Sequence, residues 1–131
     1  MTRAPDTVGE IMTRDVITVS PDETVERAVR LMVDHEIGSV VVVEADRPVG
    51  IFTERDLTRR ILDERELLQQ KVGEVMSAPV VSTQGDLQII EAFELMNAKN
   101  IRRLPIVEGE RIVGIVTERD LLKWVGVVAA E

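Results

Sequence analysis

The sequence has no cysteine and no tyrosine, and its 131 residues include only one tryptophan, two phenylalanines and one histidine. Without thiols there can be no disulfide framework, no thiolate zinc site and no cysteine nucleophile, a composition that fits the cytoplasm. A basic excess is also missing. The net charge of -8 and pI near 4.7 argue against nonspecific binding to nucleic acid or an anionic membrane surface. No long apolar run occurs: Met1 to Thr7 has no signal-peptide core, and Val40 to Val43 falls far short of a membrane span. The lone His35 has no Ser-His-Asp constellation to join, and the carboxylates are scattered without metal-ligand spacing. These absences predict a non-catalytic protein.

Enough apolar residues are present, at 44%, to build a core for one compact globular protein. Its organisation comes from an internal repeat. Shifting the chain by about 64 residues aligns Val8–Leu57 with Val72–Leu121 without gaps, with about 21 of 50 positions identical. A single unit of about 60 residues buries too little surface to be robust, so the two copies are expected to pack together as one pseudo-twofold module. Repeat one is assigned to residues 8–62, a charged, partly helical connector to 63–71, and repeat two to 72–126.

Each repeat opens on Val-Gly-Glu-(Ile/Val)-Met, read as one helical turn that sends Met12 or Met76 into the core. Extended segments follow at Val16–Val19 and Val80–Thr83. Asp22 and Asp86 stand before apolar-periodic runs, where a helix N-cap belongs, with Ser20-Pro21 an alternative start. Val25, Ala28, Val29 and Met32 recur at helical spacing, as do Ile89, Ala92, Phe93 and Met96. Val40–Val43 and Leu104–Val107 read as buried strands, turned by Glu44–Arg47 and Glu108–Arg111 into a second strand. A final helix starts after Thr53 and runs through Ile61 and Leu62, and another starts after Thr117. The predicted fold class is α/β (α+β): two pseudo-symmetric β-α-β-β-α repeats packed through small mixed sheets. Trp124 in the last helix is expected to anchor a core or a dimer interface.

The segment conserved between the two halves is Val49-Gly50-Ile51-Phe52-Thr53-Glu54-Arg55-Asp56-Leu57, repeated as Val113-Gly114-Ile115-Val116-Thr117-Glu118-Arg119-Asp120-Leu121. Thr followed by Asp three residues on is the pattern of a capping box, and helix capping alone would explain it. Three features point further. Arg55 and Arg119 sit in the first helical turn, where a cation opposes the macrodipole unless an anion is near. Gly50 and Gly114 interrupt strands, which suggests that something approaches the backbone closely. The whole string also persists while the intervening helices differ. An ionised Asp can accept both vicinal hydroxyls of a ribose, and a helix N-terminus with Thr117 and Arg119 can meet a phosphate. Arg102-Arg103 precedes the buried strand of repeat two where repeat one has Gly38-Ser39, so the two sites are expected to differ.

The duplicated Gly-Ile-x-Thr-Glu-Arg-Asp-Leu, together with Ile37-Gly38-Ser39-Val40-Val41-Val42-Val43 and Ile101-Arg102-Arg103-Leu104-Pro105-Ile106-Val107, resembles a tandem pair of CBS domains, or Bateman module. The resemblance runs from about Val8 to Gly126 and spans nearly the whole chain. It implies two clefts between the repeats that take an adenine nucleotide (AMP, ADP or ATP) or S-adenosylmethionine as a regulatory ligand. It also implies a homodimer signalling to an unknown regulated protein. Carried over by resemblance, one cleft would use Thr117, Arg119 and Asp120 with Thr13, Ile17, Thr18, Ile37, Gly38 and Ser39. The other would use Thr53, Arg55 and Asp56 with Ser77, Val81, Ser82, Ile101, Arg102 and Arg103. The same fold without a ligand, acting as a dimerisation and protein-interaction module, is the alternative.

Overall fold

The computed structural model describes residues 4–130. Along the chain the elements are α1 (Val8–Ile11), β1 (Thr18–Val19), α2 (Val25–His35), β2 (Ser39–Glu44), β3 (Arg47–Thr53) and α3 (Glu54–Arg60). A 3-10 turn at Leu67–Gln69 leads into α4 (Val72–Val75), β4 (Thr83–Gln84), α5 (Ile89–Lys99), β5 (Arg103–Glu108), β6 (Arg111–Thr117) and α6 (Glu118–Ala130). The predicted repeat pattern is therefore present in both halves. Each half carries one three-stranded mixed sheet, with its short first strand parallel to the second and the second antiparallel to the third.

Both long helices begin two residues later than Asp22 and Asp86 suggested. The hydroxyl of Thr24 accepts from the Arg27 amide at 3.1 Å and so caps α2, because a side chain must sit at the last non-helical residue to reach an orphan amide. Gln88 precedes α5, and its amide donates to Glu91 Oε1 at 3.3 Å. Asp22 instead lies 3.5 Å from Lys71 Nζ in an exposed ion pair. Both helices end on a left-handed residue, Glu36 at φ 54° and Asn100 at φ 54°. The extended segments are shorter than predicted, with only Thr18–Val19 and Thr83–Gln84 on the ladders, although Ile17 still accepts from the Val41 amide at 3.2 Å. Helix α3 stops at Arg60 rather than running through Leu62. The Arg60 carbonyl accepts from Asp63 and Glu64, which turns the chain and leaves Leu62 exposed.

The apolar residues form two separate cores. One gathers Val19, Val25, Ala28, Met32, Val40, Val42, Phe52, Leu67, Val72 and Val75. The other gathers Val8, Ile89, Ala92, Met96, Leu104, Ile106, Val116 and Leu121, with Trp124 packed on its edge as the sequence suggested. The compact units that hold these cores are not the sequence repeats. A central unit spans Ile17–Val80, and a flanking unit combines the chain before residue 17 with the chain from Val81 onward.

Backbone hydrogen bonds explain this exchange. In the flanking unit Val8 N donates to Leu87 O at 2.9 Å, Gly9 N to Gly85 O at 2.9 Å and Ile89 N to Asp6 O at 2.9 Å. In the central unit Val72 N donates to Glu23 O at 2.8 Å and Val25 N to Gln70 O at 2.9 Å. The lead-in turn of each repeat therefore belongs to the body of the other. The connector is also more than a charged linker, since its Leu67 is fully buried. Among the described residues no helix is long and apolar enough to cross a membrane.

Candidate functional site

The two Thr-Glu-Arg-Asp motifs stand where the third strand of each sheet passes into a helix, and each is locked by its own capping box. In the central unit Asp56 Oδ2 accepts from the Thr53 amide at 2.9 Å, while the Asp56 amide donates to Thr53 Oγ1 at 3.2 Å. In the flanking unit the Thr117 amide donates to Asp120 Oδ2 at 3.0 Å, and the Asp120 amide to Thr117 Oγ1 at 3.1 Å. Helix capping thus occupies one carboxylate oxygen in each motif and fixes the direction of the other.

The second carboxylate oxygens differ. Asp56 Oδ1 accepts from Ser77 Oγ at 3.1 Å. Asp120 Oδ1 has no hydrogen-bond partner among the described residues, although the side chain is half-buried. Sequence reasoning grouped Ser77 with Asp56, and the structure brings the two into contact.

Sheet register decides what else lies beside each motif. Ser39 is paired across the ladder with Thr53, and Gly38 O accepts from the Glu54 amide at 3.0 Å. Arg103 is paired with Thr117, and Arg102 O accepts from the Glu118 amide at 2.8 Å. Gly38 and Ser39, which the resemblance grouped with Thr117, thus lie at the Thr53 motif within the central unit. Arg102 and Arg103, grouped with Thr53, lie at the Thr117 motif within the flanking unit. Arg102 is exposed and Arg103 half-buried, and neither has a carboxylate partner among the described residues. Arg55 and Arg119 are both exposed on the first turn of their helices.

Thr13 pairs with Ile115 in the flanking unit, as Ser77 pairs with Ile51 in the central one. Ile17 packs against the central core and Thr18 begins β1, while Val81 and Ile101 pack against the flanking core and Ser82 is exposed. Ile37 lines a shallow groove of about 310 Å³ with Met32, Val33, Glu36, Gly38 and Glu54. A larger groove of about 690 Å³ in the flanking unit runs between Gly9, Met12, Gln84 and the Glu108–Arg111 hairpin, and holds none of the predicted site residues.

Gly50 and Gly114 do have a close neighbour, but it is the protein itself. A Cβ on Gly50 would overlap the Met76 side chain, and one on Gly114 would overlap Met12. The glycines make room for the thioethers of the lead-in turns, so the strand interruption is a packing feature. A Met recurs in each repeat ahead of its glycine, but the contacts are crossed, Met12 on Gly114 and Met76 on Gly50, so the sequence spacing alone does not pair them.

A family model for the CBS domain matches residues 8–63 and again 72–127. The chain belongs to the CBS domain family. This CBS pair is 44% identical over 119 residues to an uncharacterized protein of Methanopyrus kandleri, matching 88% of the chain and 61% of that protein. An inosine-5'-monophosphate dehydrogenase of Methanocaldococcus jannaschii is 45% identical over 116 residues, which is 87% of this chain and 22% of that enzyme. The chain thus spans less than two thirds of either relative. Among solved structures, the CBS domain pair of protein MJ0100, in complex with 5'-methylthioadenosine and S-adenosyl-L-methionine, superposes with a TM-score of 0.83 at 25% identity. The match covers 95% of this chain and 99% of that one.

Proposed function

We propose that this CBS pair is a non-catalytic regulatory module that binds an adenosine-type ligand, either AMP, ADP, ATP or S-adenosylmethionine, at its Thr-Glu-Arg-Asp motifs. Occupancy alters its association with a second copy or with a regulated protein, which requires the ligand to prefer one arrangement over another. The observation that carries this reading is the Asp120 carboxylate. It is held at a helix N-terminus by the Thr117 amide and has one oxygen left to accept from a sugar hydroxyl. Arg102 and Arg103, placed beside the motif by backbone pairing, and the N-terminal amides of α6 suit a phosphate. The adenosine compounds bound by the MJ0100 CBS pair support the ligand class.

Isothermal titration of nucleotide-free protein with the four ligands tests the proposal, and silence across that panel would sink it. Asp120→Ala is expected to weaken binding about 10- to 150-fold, the effect of losing a hydrogen bond to a charged group. A second reading, a ligand-independent interaction module, draws on the central unit. There both Asp56 oxygens are already engaged within the protein, and the motif acts as a cap. Unchanged melting temperature and self-association with every ligand would favour it.

A further inference from the structure

The two motifs share a sequence yet differ in what their carboxylates have left to offer. Asp56 accepts three hydrogen bonds from its own unit: Thr53 N at 2.9 Å and Thr53 Oγ1 at 3.1 Å on Oδ2, and Ser77 Oγ at 3.1 Å on Oδ1. Among the described residues Asp120 accepts only the Thr117 amide, on Oδ2 at 3.0 Å. A vicinal diol binds a carboxylate by donating to both oxygens or to the outward one. At Asp56 a ligand hydroxyl must therefore share Oδ1 with Ser77 or displace it, whereas Asp120 Oδ1 carries no hydrogen bond among the described residues.

The backbone that delivers the competing hydroxyl is the same in both units. Ser77 N donates to Ile51 O at 2.8 Å and Ile51 N to Ser77 O at 3.1 Å. At the corresponding place Thr13 N donates to Ile115 O at 2.9 Å and Ile115 N to Thr13 O at 3.0 Å. Each residue is thus pinned beside the strand that ends at its motif. The difference lies in the side chain. Serine turns freely about χ1, whereas threonine is β-branched and confined to fewer rotamers. The Thr13 hydroxyl has no hydrogen bond to Asp120.

We infer that Ser77 decides which motif is open: its hydroxyl occupies Asp56 as an internal stand-in for ligand, so the Asp120 motif binds first and the Asp56 motif is held in reserve. This rests on the adenosine-ligand reading above and adds to it an order of binding and the residue that sets it. The charges agree, because Arg102 and Arg103 attend the open motif and Gly38 and Ser39 the closed one. Both Ser77 and Thr13 are exposed, so either can be replaced without disturbing a core.

The test is titration of the nucleotide-free full chain with AMP and with ATP, comparing wild type with Ser77→Ala, Thr13→Ser and Asp120→Asn, after thermal melts confirm folding. Wild type is expected to take up a single equivalent tightly, and Asp120→Asn to lose it. Ser77→Ala is expected to strengthen uptake of a second equivalent by about 10-fold, the effect of removing a competing hydrogen bond to a charged acceptor. Thr13→Ser, which restores the competing hydroxyl at the open motif, is expected to weaken the first equivalent. Two equal equivalents in wild type, or a Ser77→Ala variant with unaltered second-site affinity, would overturn the role of Ser77 and leave nucleotide binding standing. No uptake by wild type or any variant would overturn both.

Discussion

Met12 lies across Gly114 so closely that a Cβ on the glycine would overlap the thioether, and Met76 lies across Gly50 in the same way. In both cases the contact joins the lead-in turn of one repeat to the strand of the other repeat within one compact unit. Gly114→Ala should therefore destabilise the protein by about 1 to 3 kcal/mol through overpacking. Pairing it with Met12→Ala should recover part of that loss, giving a favourable coupling in a double-mutant cycle measured by urea unfolding. Full stability of Gly114→Ala together with weakened nucleotide binding would return the glycine to a ligand-contacting role.

Arg102 holds the start of α6 through its carbonyl rather than its side chain, so the guanidinium can be removed without releasing the helix. Arg102→Ala and Arg103→Ala should leave the melting temperature nearly unchanged. ATP affinity should fall by about 10-fold, with a smaller loss for AMP and little for adenosine. The ATP effect should also shrink as salt is raised, because Arg102 is exposed and its charge is screened. Equal losses for ATP and adenosine would place these arginines away from the phosphates.

Much of this architecture can be read from the chain because hydrophobic period and duplication reinforce each other. The α2 and α5 apolar positions, the Val40–Val42 and Leu104–Val107 strands and the motif at each strand-to-helix passage lie where their spacing puts them. The helix starts were displaced because Asp22 and Asp86 are plausible caps by residue type. Which residue actually caps depends on where the chain enters the helix, and Thr24 is held there by its bridge to Lys71. The exchange of lead-in turns was not legible. It is made by backbone hydrogen bonds between distant segments, such as Val8 to Leu87, which leave no side-chain pattern. At the site, the sequence supplied both carboxylates and the Ser77–Asp56 pairing. It could not show that Thr13, which stands where the other unit has Ser77, makes no hydrogen bond to Asp120 and leaves Oδ1 without a partner among the described residues.

Glu36 closes α2 in the left-handed region at φ 54°, a conformation that a side chain with a Cβ resists. Asn100, at the matching place after α5, is better suited to it. Ala45 presents the same mismatch in the first hairpin, at φ 50°, where the second hairpin has Gly109 at φ 66°. Glu36→Gly and Ala45→Gly should each stabilise the protein by about 0.5 to 1 kcal/mol, seen as a raised melting temperature with ligand affinity unchanged. Lower melting temperatures would mean that the gain in unfolded-state entropy outweighs the relieved strain.

Fragments offer a direct reading of where the folding units end. Cutting at the repeat boundary, residues 8–62, keeps α1, whose Val8 packs in the flanking core, and discards Leu67, Val72 and Val75, which are buried in the central core. Cutting at the contact boundary, residues 17–80, keeps all ten buried residues of that core, together with the Ser77–Asp56 hydrogen bond. Each of the three lost side chains is worth about 1.5 to 3 kcal/mol when fully buried, so the repeat fragment lacks most of a small domain's net stability. The 17–80 fragment should show the helical circular dichroism and cooperative melting that 8–62 lacks. Equal behaviour of the two fragments, or a folded 8–62, would mean that the sequence repeat is the folding unit and the exchanged lead-in turns are dispensable.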